Sequence, residues 1–243
     1  MKIISYNLRN GGNLREGNQW QRLIRDFDPD FVCAQESLHP DKYFTSERRL
    51  AFRDRAHAYV HHGKWGSAIL SKSHESAEVS LPAFKGSVVG VKITDLPFNG
   101  VCRPVLLVCI HAPSPGPYEP VVNGILDEIA KIKDGMSMIL AGDFNITTAL
   151  RHSSEAIKNT AGERRILSRM RKEFGLFNAW QTLHPNQDLP QTLRWTKKPS
   201  APSHCDAIFV SHDLLPHLVS AEVISTGDWG VISDHNPILI TLD

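Results

Sequence analysis

Two polar side chains stand at the end of an apolar run near the middle of the chain. The run Met138-Ile-Leu-Ala is followed by Gly142-Asp143-Phe144-Asn145. In an extended strand, residues two apart point to the same side, so Asp143 and Asn145 are predicted to share a face while Phe144 packs behind them. Gly142 is predicted to let the chain turn sharply where a ligand approaches. A carboxylate and a carboxamide placed in this way could orient a water molecule.

Other apolar runs also end, or begin, next to polar residues. These residues are Asn7, Arg9, Gln35, Glu36, His111, Asp234 and His235. Polar side chains converge at strand ends when a sheet is covered on both faces and its interior stays apolar. We therefore expect them to meet Asp143 and Asn145 at one edge.

The residue types indicate a particular chemistry. Oxygen ligands such as Glu36, Asn7 and Asp234 suit a hard cation, and Mg²⁺ takes one or two carboxylates and keeps several waters. Zinc would require Cys and His at ligand spacing, which the scattered histidines do not supply. Asp143, kept off the metal, could deprotonate a water, and His235 could hold a phosphoryl oxygen. These parts together predict metal-assisted attack of water on phosphorus.

Each of these residues also has a structural alternative. Asn7 and Asp234 could form turns or caps, and Glu36 could cap the helix that follows it. His111 and His235 could be interior histidines with satisfied hydrogen bonds. The coincidence of all five at strand ends favours a functional site.

The apolar pattern predicts alternating strands and helices without a linker or repeat. We therefore expect a single domain over residues 1–243. The predicted strands are 2–6, 31–34, 67–70, 88–93, 105–110, 136–140, 207–210 and 237–242, and the predicted helices are 19–27, 120–133 and 163–174.

Composition restricts the class of protein. The 243 residues are 41% hydrophobic and 22% charged, which is typical of a globular protein with a real core. The net charge of +1 gives no global field for a polyanion but leaves local phosphate recognition open. No apolar run approaches a membrane span, and the opening Met1-Lys-Ile-Ile-Ser-Tyr predicts a strand rather than a signal peptide.

The four cysteines form no CxxC pair, and three lie in apolar runs. They are predicted to be buried free thiols in a reducing compartment. We expect a cytoplasmic monomer with no protein partner.

Seven motifs in chain order resemble the endonuclease/exonuclease/phosphatase superfamily, on its deoxyribonuclease I-like branch. The resemblance implies a four-layer α/β sandwich, in which two packed mixed β-sheets are flanked by helices. The motifs are Tyr6-Asn7, Gln35-Glu36, Gly66-Ser-Ala-Ile-Leu-Ser71, Ile110-His111-Ala-Pro, Gly142-Asp143-Phe-Asn145, Cys205-Asp206-Ala-Ile-Phe209 and Ser233-Asp234-His235.

The resemblance also implies roles for the metal and the water. Glu36, with Asn7 nearby, is expected to form the main Mg²⁺ site, with Mn²⁺ as a possible substitute. Asp234 is expected to be a further ligand or an electrostatic partner. Asp143 would activate the attacking water, and Asn145 would hold it or a phosphate oxygen.

The remaining implied roles concern the phosphate. Asp206 would orient His235, which would contact the scissile phosphate. His111 would be the acid for the leaving group or a neutral phosphate ligand, because residues 61–66 offer no carboxylate to support it. Arg9 would make a second phosphate contact, with a surface ion pair as its alternative.

Departures from subfamily patterns bear on the substrate. Abasic-site endonucleases usually have an acid where this chain has Arg9, a Tyr where it has His111, and a bulky aromatic near Pro202-Ser203-His204-Cys205. These departures argue against an abasic-site specialist. Inositol polyphosphate 5-phosphatases carry a Trp before the Cys-Asp pair and an Arg after it, and this chain has neither.

The resemblance therefore implies a Mg²⁺-dependent phosphodiesterase, most simply a nuclease acting on DNA or RNA. The alternatives are a phosphomonoesterase, a lipid-headgroup phosphodiesterase, or a non-catalytic module, against which the complete motif set argues. Several loop residues could stack bases and meet backbone phosphates, or the tryptophans could pack at loop bases. These residues are Lys64, Trp65, Trp195, Lys197, Lys198 and Trp229.

Overall fold

Two mixed β-sheets pack face to face, and helices cover their outer sides. The computed structural model describes residues 1–12, 19–39, 42, 56–58, 65–72, 74–94, 96–98, 101–113, 116–153, 155–195 and 198–243.

The helices of this part of the chain are short or of medium length. They are α1 (Gln19–Phe27), α2 (Tyr118–Ile132), α3 (Ala161–Phe174), α4 (Ala179–Leu183) and α5 (Trp229–Ile232), with 3₁₀ turns at Pro82–Phe84 and His212–His217. None of the helices in the described residues is long and apolar enough to span a membrane.

The strands are more numerous than the apolar runs predicted. They are β1 (Lys2–Gly11), β2 (Phe31–Ser37), β3 (Ala56–Ala58), β4 (Gly66–Ser71), β5 (Ser76–Val79), β6 (Val88–Ile93), β7 (Pro97–Phe98), β8 (Val101–Cys102), β9 (Val105–His111), β10 (Ser137–Asp143), β11 (Leu176–Asn178), β12 (Leu193–Trp195), β13 (Lys198–Ser203), β14 (Asp206–Ser211), β15 (Leu218–Val223) and β16 (Ile238–Leu242).

The sheet order explains why polar strand ends converge. One sheet has the order β15-β16-β1-β2-β4-β3, and the other has the order β11-β14-β10-β9-β6-β5. Each has one parallel pair at its centre, β1 with β2 and β9 with β10. Strands β16 and β14 run antiparallel to β1 and β10, so they begin at the edge where those strands end.

Three buried apolar clusters separate the layers. One lies between the sheets and includes Ile69 and Leu107. A second joins β9, β10 and β14 to α2 and α3, and a third joins the β1 sheet to α1 through Trp20 and Leu23. The predicted four-layer sandwich of two mixed sheets flanked by helices is confirmed.

Burial on both faces accounts for the continuous apolar runs in the central strands. In β9, Leu106 and Val108 belong to the cluster on the helix side, whereas Val105 and Leu107 belong to the cluster between the sheets. Residues on both faces of the strand are therefore apolar up to His111.

Helix α3 begins and ends as its sequence requires. Thr160 and Glu163 form a capping box at its start, and Gly175, at φ 62°, follows its last residue. The Glu163 carboxylate also accepts a hydrogen bond from the Thr147 amide at 2.9 Å. The cap therefore fixes the segment that leaves β10 just after Asn145.

The elements predicted from the sequence are present with shifted ends. All eight predicted strands occur, and the two longer helices begin two residues earlier than predicted, at Tyr118 and Ala161. Cys33, Cys109 and Cys205 are buried free thiols, as expected. The Cys102 side chain lies outside the description.

Gly142 is required by a close backbone contact inside the sheet. Its φ is 147°, and a Cβ built there would lie 1.8 Å from the carbonyl oxygen of Ile110 on β9. The prediction that Gly142 forms a sharp turn toward a ligand is therefore wrong. Gly142 remains within β10, and its close neighbour is Ile110.

We expect Gly142→Ala to lower the free energy of unfolding by more than about 3 kcal/mol, because backbone must move to admit the methyl group. Gly135→Ala is the matched control, since Gly135 also has positive φ but nothing lies within 4 Å of its Cβ position. That control should cost about 1–2 kcal/mol. Urea denaturation measures both, and equal costs would contradict the contact as the cause.

Candidate active site

Asp143 is the last residue of β10 and lies at the centre of a buried polar network. Its register partners are His111 on β9 and Asp206 on β14. The Asn7 side-chain amide donates to Asp143 Oδ2 at 3.1 Å, and the Asn145 backbone amide donates to Oδ1 at 2.9 Å. Both carboxylate oxygens are thus held in fixed directions in a buried environment.

Asn7 connects Asp143 to Glu36. The same Asn7 Nδ2 donates to Glu36 Oε1 at 3.3 Å, while the Asn10 backbone amide donates to Oε2 at 2.6 Å. Asn7 itself is fully buried. Two carboxylates therefore share one neutral amide, which leaves negative charge that a divalent cation would compensate.

Strained backbone gathers at this edge of the sheets. Four of the six non-glycine residues with positive φ in the described chain are Arg9, Asn10, Glu36 and Asn145. The strand registers shift at the same places, between Asn7 and Gly11 in β1 and between Ala34 and Ser37 in β2. Bulges re-aim side chains next to active sites, and such strain is concentrated where function requires it.

His235 and Asp206 form the other half of the network. His235 Nδ1 lies 3.0 and 2.9 Å from the two oxygens of Asp206, and its Nε2 lies 3.8 Å from Asp143 Oδ2. Both side chains are buried. A carboxylate on Nδ1 fixes the ring orientation and aims Nε2 at Asp143.

The electrostatics of this pair favour a protonated His235 ring. Burial raises the pKa of Asp206 above its ordinary value, although His235 opposes the rise. Burial alone would lower the pKa of His235, but Asp206 and Asp143 outweigh it and raise the pKa to about 9. The two carboxylates therefore favour the protonated ring, with Nδ1–H donating to Asp206.

His111 meets a carboxylate that the sequence did not predict. Its Nε2 lies 3.8 Å from Glu36 Oε1. The sequence shows no carboxylate in residues 61–66, of which 61–64 lie outside the described residues. The neighbouring carboxylate comes from β2 instead, because the parallel pair β1–β2 faces β9 across the sandwich.

Arg9 and Asp234 lie together at the rim. The Arg9 Nε atom is 3.4 Å from Asp234 Oδ2, and the Arg9 side chain is 46% exposed. The ion pair that was the alternative for Arg9 is thus present. The phosphate contact of Arg9 and the metal ligation of Asp234 stay predictions.

Asn145 reaches the site by a turn and not by strand alternation. Strand β10 ends at Asp143, and Asn145 adopts a left-handed conformation with φ 53°. Its Nδ2 donates to the carbonyl of Ala112 at 3.0 Å. Phe144 is fully buried on the helix side, as the alternation predicted.

Three residues that support the site were missed from the sequence. The buried Thr192 hydroxyl accepts from the amides of Cys205 and Asp206, at 3.0 and 3.1 Å. Ser233 Oγ donates to the Asn7 carbonyl at 2.8 Å, and Arg194 Nη2 donates to the carbonyls of Ser233 and His235. Only Ser233 carried a signal, through its place in a motif; Thr192 and Arg194 act through tertiary contacts.

The loop tryptophans divide between packing and exposure. Trp229 is buried against Tyr6, with ring centroids 5.5 Å apart, so base stacking by Trp229 is excluded in this structure. Trp195 is 54% exposed at the end of β12, and Trp65 is partly buried. Lys64 and Lys197 lie outside the described part of the chain, and so does the side chain of Lys198.

Comparisons with known proteins identify the family of the chain. The family model described as "Endonuclease/Exonuclease/phosphatase family" matches residues 4–235. The chain therefore belongs to this family, and it is an enzyme of the class that hydrolyses phosphoric ester bonds. A search of curated protein sequences found no match.

Several solved structures share the fold along the whole chain. A 3′ phosphatase, NExo, from Neisseria, bound to product DNA hairpin, is 20% identical with a TM-score of 0.73, covering 100% of this chain and 99% of that one. An AP endonuclease from Archaeoglobus fulgidus is 18% identical with a TM-score of 0.70, covering 100% and 99%. The Xenopus laevis APE2 catalytic domain is 17% identical with a TM-score of 0.76, covering 100% and 91%.

Proposed function

We propose that this chain is a Mg²⁺-dependent phosphodiesterase that cleaves nucleic acid by direct attack of water, within one domain over residues 1–243. The observation that carries the proposal is the continuous buried network in which Asn7 joins Glu36 to Asp143 and His235 joins Asp143 to Asp206. Such a network brings together anionic metal ligands, a general base and a hydrogen-bond donor for the phosphate.

The oxygen donors fit a hard divalent cation. Glu36 would hold Mg²⁺ or Mn²⁺ directly, and Asp234, beside Arg9, is a further candidate ligand. Asn7 would join them through Oδ1, which here accepts from the Arg9 amide at 2.9 Å, so its side-chain amide would have to flip. The metal would polarise a phosphoryl oxygen and offset the charge that develops during attack. The two carboxylates of Glu36 and Asp143, which share the Asn7 amide, support this assignment.

Asp143 is proposed to take a proton from the attacking water. Its carboxylate is aligned by Asn7 and by the Asn145 amide, so it needs little reorganisation to act as a base. Asn145, held by Ala112, would keep the water or a phosphate oxygen beside it.

The imidazoles are proposed to handle the phosphate and the leaving group. His235, protonated and held by Asp206, would donate from Nε2 to a non-bridging oxygen as charge accumulates. His111, beside Glu36, would protonate the leaving oxygen or bind phosphate, and Arg9 would contact a flanking phosphate.

Two observations support a nucleic-acid substrate. The Neisseria phosphatase that shares this fold is bound to product DNA. The exposed Trp195 follows Arg194, which holds the segment carrying His235, so its ring lies on a hairpin anchored to the site.

Three buried free thiols are in keeping with a reducing cytoplasm.

We expect Trp195→Ala to raise KM for single-stranded DNA about tenfold with little change in kcat, since stacking of one base contributes about 1–3 kcal/mol. Val219→Ala is the matched control, because Val219 is 58% exposed but lies on β15. Steady-state kinetics on a labelled oligonucleotide measure both. An unchanged KM would remove Trp195 from the substrate path.

A panel of substrates with Mg²⁺ tests the proposed function. It should include plasmid DNA, single-stranded RNA, an abasic duplex, a 3′-phosphorylated oligonucleotide, sphingomyelin and inositol phosphates. Nicked plasmid or shortened oligonucleotide is the expected result. Release of inorganic phosphate alone would favour the second candidate, a phosphomonoesterase, which the similarity to the Neisseria 3′ phosphatase supports.

A further inference from the structure

A thiol lies beside the two side chains that would handle water and phosphate. One oxygen of Asp143, one ring nitrogen of His235 and Sγ of Cys205 all lie within 4.8 Å of one another, and all three residues are buried. The histidine and cysteine are thirty residues apart in sequence, so their spacing gives no zinc motif. The fold brings them together at the edge of the sheets where β10 ends. Cys205 lies just before β14, which begins at this edge, and His235 lies in the loop that precedes β16.

We propose that Asp143, Cys205 and His235 form a binding site for a thiophilic divalent cation, Zn²⁺ above all, and that this ion inhibits the Mg²⁺-dependent reaction. Carboxylate, thiolate and imidazole are the ligands that zinc selects, whereas Mg²⁺ requires oxygen. The inhibition, but not the binding, rests on the proposed function.

The distances are close to those that zinc needs. Tetrahedral zinc, with bonds of about 2.0 Å to N and O and about 2.3 Å to S, holds N and O about 3.3 Å apart and S about 3.5 Å from either. Asp143 Oδ2 and His235 Nε2 are 3.8 Å apart. The sulfur lies within 4.8 Å of its two partners, so closing these distances by about 1.3 Å or less would complete the set and leave the fourth position to water or a phosphate oxygen.

Each candidate ligand is held from behind. His235 Nδ1 bonds Asp206, which is the arrangement that orients metal-binding histidines. The Cys205 amide donates to Thr192 at 3.0 Å and its carbonyl accepts from Phe144 at 3.0 Å, so the backbone on both sides of the thiol is fixed. Asp143 is held by Asn7 and Asn145.

Zinc binds the thiolate and the neutral imidazole, so any proton on the Cys205 sulfur or on His235 passes to solvent as the ion binds. The bound ion would then occupy the base that activates water and the donor that grips phosphate, which is the physical reason for inhibition.

Cobalt substitution tests the site without any substrate. Co²⁺ added to the full chain should produce a thiolate-to-metal absorption band in the wild type and in Cys33→Ala, which removes a buried thiol elsewhere. Cys205→Ala should lose the band, and calorimetry should show at least about 100-fold weaker Zn²⁺ binding. If Cys205→Ala does not fold, the triple variant Cys33→Ala, Cys102→Ala, Cys109→Ala keeps Cys205 as the sole thiol and should retain the band.

The inhibition is measured separately, with Mg²⁺ saturating and Zn²⁺ varied. Wild type and Cys33→Ala should be inhibited at Zn²⁺ concentrations about 100-fold below those needed for Cys205→Ala. Absence of the band in the wild type, or equal Zn²⁺ affinity in Cys205→Ala, would overturn the site. A thiolate band in a protein that hydrolyses no substrate would uphold the site and reject the proposed function instead.

Discussion

Asp143→Asn should lower kcat for phosphodiester hydrolysis about 10³-fold or more, with the fold retained. A carboxamide has nearly the shape of a carboxylate, so its oxygen can still accept the Asn145 amide. It cannot take a proton from water, and general base catalysis contributes about 10²- to 10⁴-fold. Loss of a negative charge next to Glu36 and His235 also weakens metal binding and the hold on the imidazolium.

The measurement is single-turnover hydrolysis of a labelled oligonucleotide, with circular dichroism and thermal unfolding as checks on folding. Asp127→Asn is the matched control, because Asp127 pairs with Arg169 on the helical side and should leave the rate unchanged. Undiminished turnover by Asp143→Asn would remove Asp143 from the mechanism.

Asp206→Asn is expected to reduce kcat about 10²- to 10³-fold with a smaller change in KM. The asparagine oxygen can still accept the Nδ1 hydrogen of His235, so the ring keeps its orientation. The charge that stabilises the imidazolium is lost, and a donor aimed at developing charge contributes about this much to the rate.

Comparison with Asp206→Ala separates orientation from charge. Alanine removes both, so the rates should fall in the order wild type, Asn, Ala. A purely structural role for Asp206 predicts instead that the rates follow the loss of unfolding free energy. Equal activity of wild type and Asp206→Asn would contradict the proposed phosphate contact by a protonated His235.

The central sheets could be predicted from the sequence because burial on both faces requires continuous apolar runs. Strands such as β9 and β10 have few polar positions until their last residues, and those residues are His111 and Asp143. The polar strand ends therefore indicate a shared edge from residue type and spacing alone.

The sequence could not predict how backbone irregularities aim the side chains. Glu36 points to Asn7 through a bulge in β2 and a positive φ of 48°, and Asn145 turns back through a φ of 53°. Glu36 is not of a residue type that favours positive φ, and Asn145, which is of such a type, adopts it too seldom in general for the turn to be predicted. The short strands β12 and β13 were missed because they carry little apolar pattern.

Contacts between distant segments could also not be predicted from the sequence. Thr192 holds Asp206 and Arg194 holds the loop of His235, and each lies in a stretch without a motif. Cys205 looked like a packing residue, yet the fold sets its sulfur beside Asp143 and His235. These meetings depend on which distant segments pack together in the fold, which the local sequence around each residue does not show.

Metal dependence of DNA hydrolysis tests the central claim most directly. The purified chain should be incubated with labelled DNA in Mg²⁺, in EDTA, and in EDTA followed by excess Mg²⁺ or Mn²⁺, with Asp143→Asn in parallel. We expect cleavage in Mg²⁺, none in EDTA, and recovery on adding the metal back, with Asp143→Asn inactive throughout. Cleavage that persists in EDTA, or a folded protein that binds Mg²⁺ and cleaves no nucleic acid, would contradict the proposal.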